Sequence, residues 1–181
     1  MRKPLAAILT AASIACSVAL SSFAAADNEV GDRATGFTLR STSGDTVSLH
    51  QYAGKVVVLS FFHPFCGSCI RELPALEQNI WRVYQSGGVQ VVGVTTADPR
   101  DAKAAVDAYD LTYPVLLDPN SETWTNYKVH SLPVNLVIDK DMVVRYREVG
   151  YYEPDIAAKI EELAPAPVEQ SCWGRIRCLF R

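Results

Sequence analysis

Cys66 and Cys69 are separated by two residues, Gly67 and Ser68. A thiolate is the nucleophile of disulfide exchange, and two thiols one helical turn apart can close a disulfide. The run Lys55-Val56-Val57-Val58-Leu59-Ser60-Phe61-Phe62 precedes the pair and reads as a buried strand. After the pair, Ile70, Leu73, Leu76, Ile80, Val83 and Tyr84 recur every three or four residues and mark one face of a helix. Cys66 is therefore expected where a strand gives way to a helix. Unpaired N–H groups and the helix dipole gather there and favour an anion. Cys66 becomes the attacking thiol, and Cys69, one turn further in, the more buried resolving thiol. A zinc site needs about four ligands, and a stabilising bridge gains most by closing a long loop. The pair satisfies neither condition, so the reading is redox chemistry on a Cys66–Cys69 disulfide, with no metal and no cofactor.

Other titratable residues lie within reach. Glu72 follows Cys69 by one turn on nearly the same helical face, where a carboxylate would raise the pKa of a buried thiol. An acid in a first helical turn is also favoured by the dipole alone. His63 ends the strand, and His130 lies three residues before Pro133. Two thiolates and an imidazole would suit copper, so a copper-binding module on Cys66, Cys69 and His130 stands as the alternative function.

The elements that must position these groups follow from periodicity. Residues from Gly36 to His50 alternate apolar and polar side chains around Ser43-Gly44-Asp45, the pattern of a β-hairpin. The helix after Cys66 is expected to run to about Gln85 and stop at Gly87-Gly88, with Pro74 bending its axis. Val89 to Val94 is a second buried strand, and Asp98-Pro99 opens a helix to Tyr109. Tyr113 to Leu117 is a short strand, and Asn120 or Ser121 is expected to start a short helix to Tyr127. Val134–Ile138 and Met142–Glu148 are strands joined at Asp139-Lys140-Asp141, and Pro154-Asp155 opens a last helix ending near Leu163. Helices alternating with buried strands make this an α/β sandwich with antiparallel additions.

These stretches resemble the TlpA/ResA branch of the thioredoxin superfamily, whose domain is of the AhpC/TSA-redoxin type. The resemblance rests on Gly36-Phe37-Thr38-Leu39, Gly54-Lys55-Val56-Val57-Val58-Leu59, Leu132-Pro133 and the stretch from Phe65 through Cys66, Cys69, Glu72 and Pro74 to Leu76. It spans nearly all of Gly36 to Leu163. It implies a thioredoxin-like three-layer α/β/α sandwich with a mixed central sheet and an added N-terminal β-hairpin. It implies a thiol–disulfide oxidoreductase of the protein-disulfide reductase type, with cytochrome c maturation as one setting. Expected partners are a disulfide-containing protein substrate and a membrane thiol-transfer protein as electron donor. The resemblance also implies that Glu72 assists proton transfer at the cysteines. It makes Leu132-Pro133 a cis peptide against the pair and places Phe65, Leu132 and Pro133 at the substrate. Two positions depart from the family pattern: Phe65 replaces its Trp and Val134 its Thr, and both bear on substrate choice and redox potential. Copper proteins of the Sco type space their cysteines by three residues rather than two. Peroxiredoxins place Thr or Ser three residues before the reactive cysteine and Pro seven before it, where this chain has His63 and Leu59.

The chain has 181 residues and a net charge of -3. Without a basic cluster before the tail, nucleic-acid binding has no support. Met1-Arg2-Lys3, the apolar run from Leu5 to about Leu20 and Ala24-Ala25-Ala26 have the order of a secretory signal peptide. The domains expected are a leader at 1–26, a thioredoxin-like domain at 27–163, and a Pro-rich linker with a cysteine-containing tail at 164–181. Localisation is periplasmic or otherwise exported. Lipidation at Cys16, or retention of the leader as an anchor, is the lesser alternative. In the tail, Cys172 and Cys178 have three readings open: a local disulfide, a relay to Cys66, or a basic tail touching a membrane surface or an acidic partner.

Overall fold

In the computed structural model, which describes residues 28–164, the hairpin forms from β1 (Thr38–Ser41) and β2 (Thr46–Ser48). Leu39 faces Val47 across it, as the alternation requires. Leu49–Tyr52 then makes a turn of 3₁₀-helix instead of prolonging the strand. β3 (Val56–Phe61) is buried along its whole length, as is β4 (Val89–Thr95). β5 (Val115–Leu117), β6 (Val134–Ile138) and β7 (Val144–Val149) complete one mixed sheet in the order β2-β1-β5-β4-β3-β6-β7. β3 pairs parallel with β4 and antiparallel with β6, so the strand that delivers Cys66 lies inside the sheet with neighbours on both edges.

The helices are α1 (Gly67–Ala75), α2 (Arg82–Tyr84), α3 (Pro99–Ala108), α4 (Glu122–Asn126) and α5 (Glu153–Leu163). Apolar clusters cover both faces of the sheet. On one face Cys69, Leu73 and Leu76 pack with Ile156 and Ile160 of α5 over Val58, Val91 and Val137. On the other, Leu49, Tyr52 and Tyr127 cover Val57, Leu59, Val92 and Leu136. This is the layered α/β arrangement expected, with the hairpin joined to the sheet through antiparallel pairing of β1 and β5.

One local expectation changes in detail. The helix that opens at Gly67 does not continue as one α-helix with a bend at Pro74. Directly after it, Leu76–Trp81 widens into a π-helical turn before α2 resumes. Proline has no N–H for the preceding turn and its ring crowds the carbonyl four residues back, so the ladder shifts register there. Helix α4 starts after Ser121, as expected, but the Ser121 side chain is not what caps it. Ser121 sits at the N-cap position with φ 56°, and its side chain makes no capping bond. The buried Asp118 carboxylate instead accepts from the N–H groups of Glu122 at 3.1 Å and Trp124 at 2.9 Å. The leader expected at 1–26 and the cysteines at 16, 172 and 178 lie outside the described residues.

Candidate active site

Cys66 occupies the N-cap of α1 with an extended backbone (φ -91°, ψ 112°), so its side chain turns back over the first helical turn. The Cys69 N–H donates to Cys66 Sγ at 3.3 Å, and the Ser68 hydroxyl lies 3.1 Å from the same sulfur. A sulfur there stands in for the oxygen of an ordinary capping residue and satisfies an N–H left over by the helix. Burial works against the Cys66 thiolate. It is outweighed by hydrogen bonds from the Cys69 and Ser68 side chains and backbone, so the Cys66 thiol lies below its ordinary range.

Cys69 is fully buried, and burial is the main reason its thiol is pushed up to about 12. Its hydrogen bond with Cys66 and the negative charges of Cys66 and Glu72 add to the effect. Both cysteines are free thiols, one partly exposed and acidic, the other enclosed and reluctant to ionise. This is the asymmetry expected from their positions.

Glu72 is 1% exposed. Burial is the largest reason its carboxyl is raised to about 7; the Cys66 charge adds to this, while Ser60 and Asn135 pull it partly back. The Ser60 hydroxyl donates to Glu72 Oε1 at 2.9 Å. The Asn135 Nδ2 donates to Gly150 O at 3.0 Å, leaving Glu72 Oε2 and Asn135 Oδ1 without a hydrogen-bond partner among the described residues. A cleft of about 230 Å³ lined by Ser68, Arg71, Glu72, Pro133, Gly150 and Tyr151 opens beside the carboxyl.

The Leu132-Pro133 peptide is cis, as the resemblance implied. Pro133 is buried and Leu132 half-buried. The Ser68 hydroxyl reaches Leu132 O at 3.5 Å, which brings the proline loop against the first turn of α1. Phe65 is 75% exposed, with its ring 5.4 Å from that of His63. His63 Nδ1 accepts from the Phe65 N–H, so this imidazole shapes the turn before Cys66. His130 is exposed on its loop. Among the described residues no three His, Cys, Asp or Glu side chains are grouped so that they could hold a metal ion. Cys66, Cys69 and His130 thus do not form the ligand set that the copper alternative needs.

Ser60 and Asn135 were not singled out from the sequence. A signal was present: each is a polar residue inside an otherwise apolar strand, at a position with no exposure. A buried polar side chain must find a partner, and here the partner is three-dimensional.

Residues 30–147 match the model of the AhpC/TSA family. The thiol-disulfide oxidoreductase ResA of Geobacillus thermodenitrificans is 30% identical over 138 residues, covering 75% of this chain and 79% of its own. The thioredoxin-like protein YneN of Bacillus subtilis is 33% identical over 66% of this chain and 71% of that protein. A crystal structure described as a thiol:disulfide interchange protein DsbE from Chlorobium tepidum superposes with a TM-score of 0.67 at 29% identity. It covers 76% of this chain and 97% of that one.

Proposed function

The chain belongs to the AhpC/TSA family and is a thiol–disulfide oxidoreductase, and we propose that it is an exported reductase of protein disulfides working through Cys66 and Cys69. The observation that carries this reading is the capping of α1 by Cys66 Sγ, with the Cys69 N–H directed at it. It keeps one sulfur ionisable and accessible and holds the second a turn away.

The Cys66 thiolate attacks one sulfur of a substrate disulfide, forming a mixed disulfide and releasing the other substrate sulfur as a thiolate that takes up a proton. Cys69 then gives up its proton and attacks Cys66 Sγ. The Cys66–Cys69 bond forms, the mixed bond breaks, and the second substrate sulfur leaves and is protonated. The substrate gains two electrons and the dithiol loses them. Cys69 is a poor acid, so its proton needs a nearby acceptor. Glu72 supplies one, with a proton affinity matched to neutral pH. Phe65, Leu132 and Pro133 form the face on which an extended substrate segment lies. A membrane thiol-transfer protein restores the dithiol, and substrates awaiting cytochrome c maturation are one class that fits.

Insulin reduction by the purified domain tests the reading. Cys66→Ser is expected to abolish turnover, while Cys69→Ser retains the first step and accumulates mixed disulfides that can be isolated. Undiminished turnover by Cys66→Ser would overturn the assignment.

A further inference from the structure

A short row of small or polar residues crosses the middle of the sheet beneath α1. Gly93 of β4 lies opposite Ser60 of β3, and Ser60 lies opposite Asn135 of β6. The flanking positions on these strands are Leu59, Phe61, Val92, Val94, Val134 and Leu136, all apolar. A side chain at Gly93 would meet the rings of Phe62 at 3.0 Å and Tyr113 at 3.5 Å. Those rings fill the space over Gly93, and the neighbouring Ser60 presents a hydroxyl in this apolar layer to one polar group from the helix above. That group is the carboxyl of Glu72, held by Ser60 at 2.9 Å. Apolar residues would pack this site with less desolvation cost, so the polar row needs a reason beyond stability.

Resting on the reductase reading above, we infer that Ser60 and Asn135 are positioning residues for Glu72. Ser60 fixes one carboxyl oxygen within the α1 layer beside Cys69. Asn135, through its bond to Gly150 O, fixes the wall of the cleft by which the carboxyl exchanges its proton with solvent. The ionisable and charged groups facing Glu72 are Cys66 and Cys69 from α1, Tyr113 ahead of β5 and Tyr151 after β7, with Arg71 lining the cleft. None of these but Arg71 is cationic, and the Ser60 hydroxyl is the hydrogen-bond donor to the carboxylate among the described residues.

The test is the titration midpoint of the Glu72 carboxyl in the reduced full-length protein, read by carbon-13 NMR, beside the pH profile of kcat for insulin reduction. Ser60 donates to the carboxyl and favours its anion. Ser60→Ala is therefore expected to raise the midpoint by about one pH unit, a tenfold gain in proton affinity, and to move the acidic limb of the kcat profile with it. Ser60→Thr keeps a hydroxyl and is expected to restore both. A folded Ser60→Ala protein with an unmoved midpoint overturns the inference. Should that variant not fold, Ser60→Gly, which also removes the hydroxyl, is judged by the same upward shift. Cys66→Ser separates the two levels. If it still reduces insulin, the underlying reading fails; if it is inactive while the Glu72 midpoint ignores Ser60, only the positioning role fails.

Discussion

At the scale of single residues, the division of labour between the two cysteines follows from where each sulfur sits. Cys66 Sγ caps a helix and receives hydrogen bonds, while Cys69 is buried within the apolar cluster that includes Val58, Phe62 and Leu73. Alkylation with iodoacetamide at neutral pH is expected to modify Cys66 and spare Cys69. Ser68 contributes to the acidity of Cys66 from an exposed position, at 3.1 Å from the sulfur. Ser68→Ala is expected to shift the pH midpoint of Cys66 alkylation upward and slow the reaction below it, read by mass spectrometry across pH. A downward shift would show that the hydroxyl acts as an acceptor from the thiol. Cysteine spacing made the pair legible in the sequence. Its electrostatics needed the cap geometry, because a hydrogen bond to sulfur is decided by dihedral angles.

Among the elements, the π-helical turn at Leu76–Trp81 is the one that sequence periodicity could not distinguish from α-helix. Its apolar residues Leu76 and Ile80 are buried as a regular helix would bury them. What anchors the turn is Glu77, 1% exposed, which accepts from the Thr112 N–H at 2.8 Å and hydroxyl at 2.7 Å, and from Arg82 Nε at 2.8 Å. Trp81 Nε1 donates to Thr112 Oγ1 at 2.9 Å and closes the cluster. These bonds tie the helix that carries the cysteines to the segment entering β5. Glu77→Ala removes the acceptor of the Thr112 N–H and hydroxyl; Thr112 is exposed, so water takes over part of that role, and the variant is expected to lower unfolding stability by about 1–2 kcal/mol, measured by urea titration. Glu77→Gln is expected to lose less, since one oxygen can still accept from Thr112.

For the molecule as a whole, pH acts on stability through opposed carboxyl groups. Glu72 has a folded value near 7 against an ordinary 4.5, so the native state keeps a proton that the unfolded chain releases earlier. Its effect is to make stability fall as pH rises from about 4.5 to 7, and to stay level above that. Across that window the loss is on the order of 3 kcal/mol. Glu77 and Asp139 run the other way. Burial opposes their charge but is outweighed by donors from Thr112 and Arg82 for Glu77, and from Val143, Arg145 and Asp141 for Asp139. Their contribution is present above the ordinary carboxylate range and is lost as pH falls through their depressed values. In the reduced protein, Glu72→Gln is expected to remove the decline between pH 4.5 and 7 while leaving the acid side unchanged. A wild-type minus Glu72→Gln stability difference that stays flat with pH would contradict this.

What the amino-acid sequence determined alone was local or periodic. The alternation of Leu39 with Thr38 and Arg40, the apolar runs of β3 and β4, the helical spacing after Cys69 and the two-residue gap between cysteines each report on neighbours in the chain. Burial patterns and turn chemistry suffice for such features, and they place Cys66 at the junction of strand and helix. Tertiary structure decided which distant residues meet. Ser60, Glu72 and Asn135 are brought together by strand pairing and helix docking. Asp118 takes the capping role from Ser121 because its carboxylate reaches the first N–H groups of α4. Glu77 reaches Thr112 across 35 positions of sequence. A buried polar atom must be satisfied by whatever the fold sets beside it, and no period in the chain records which partner that will be.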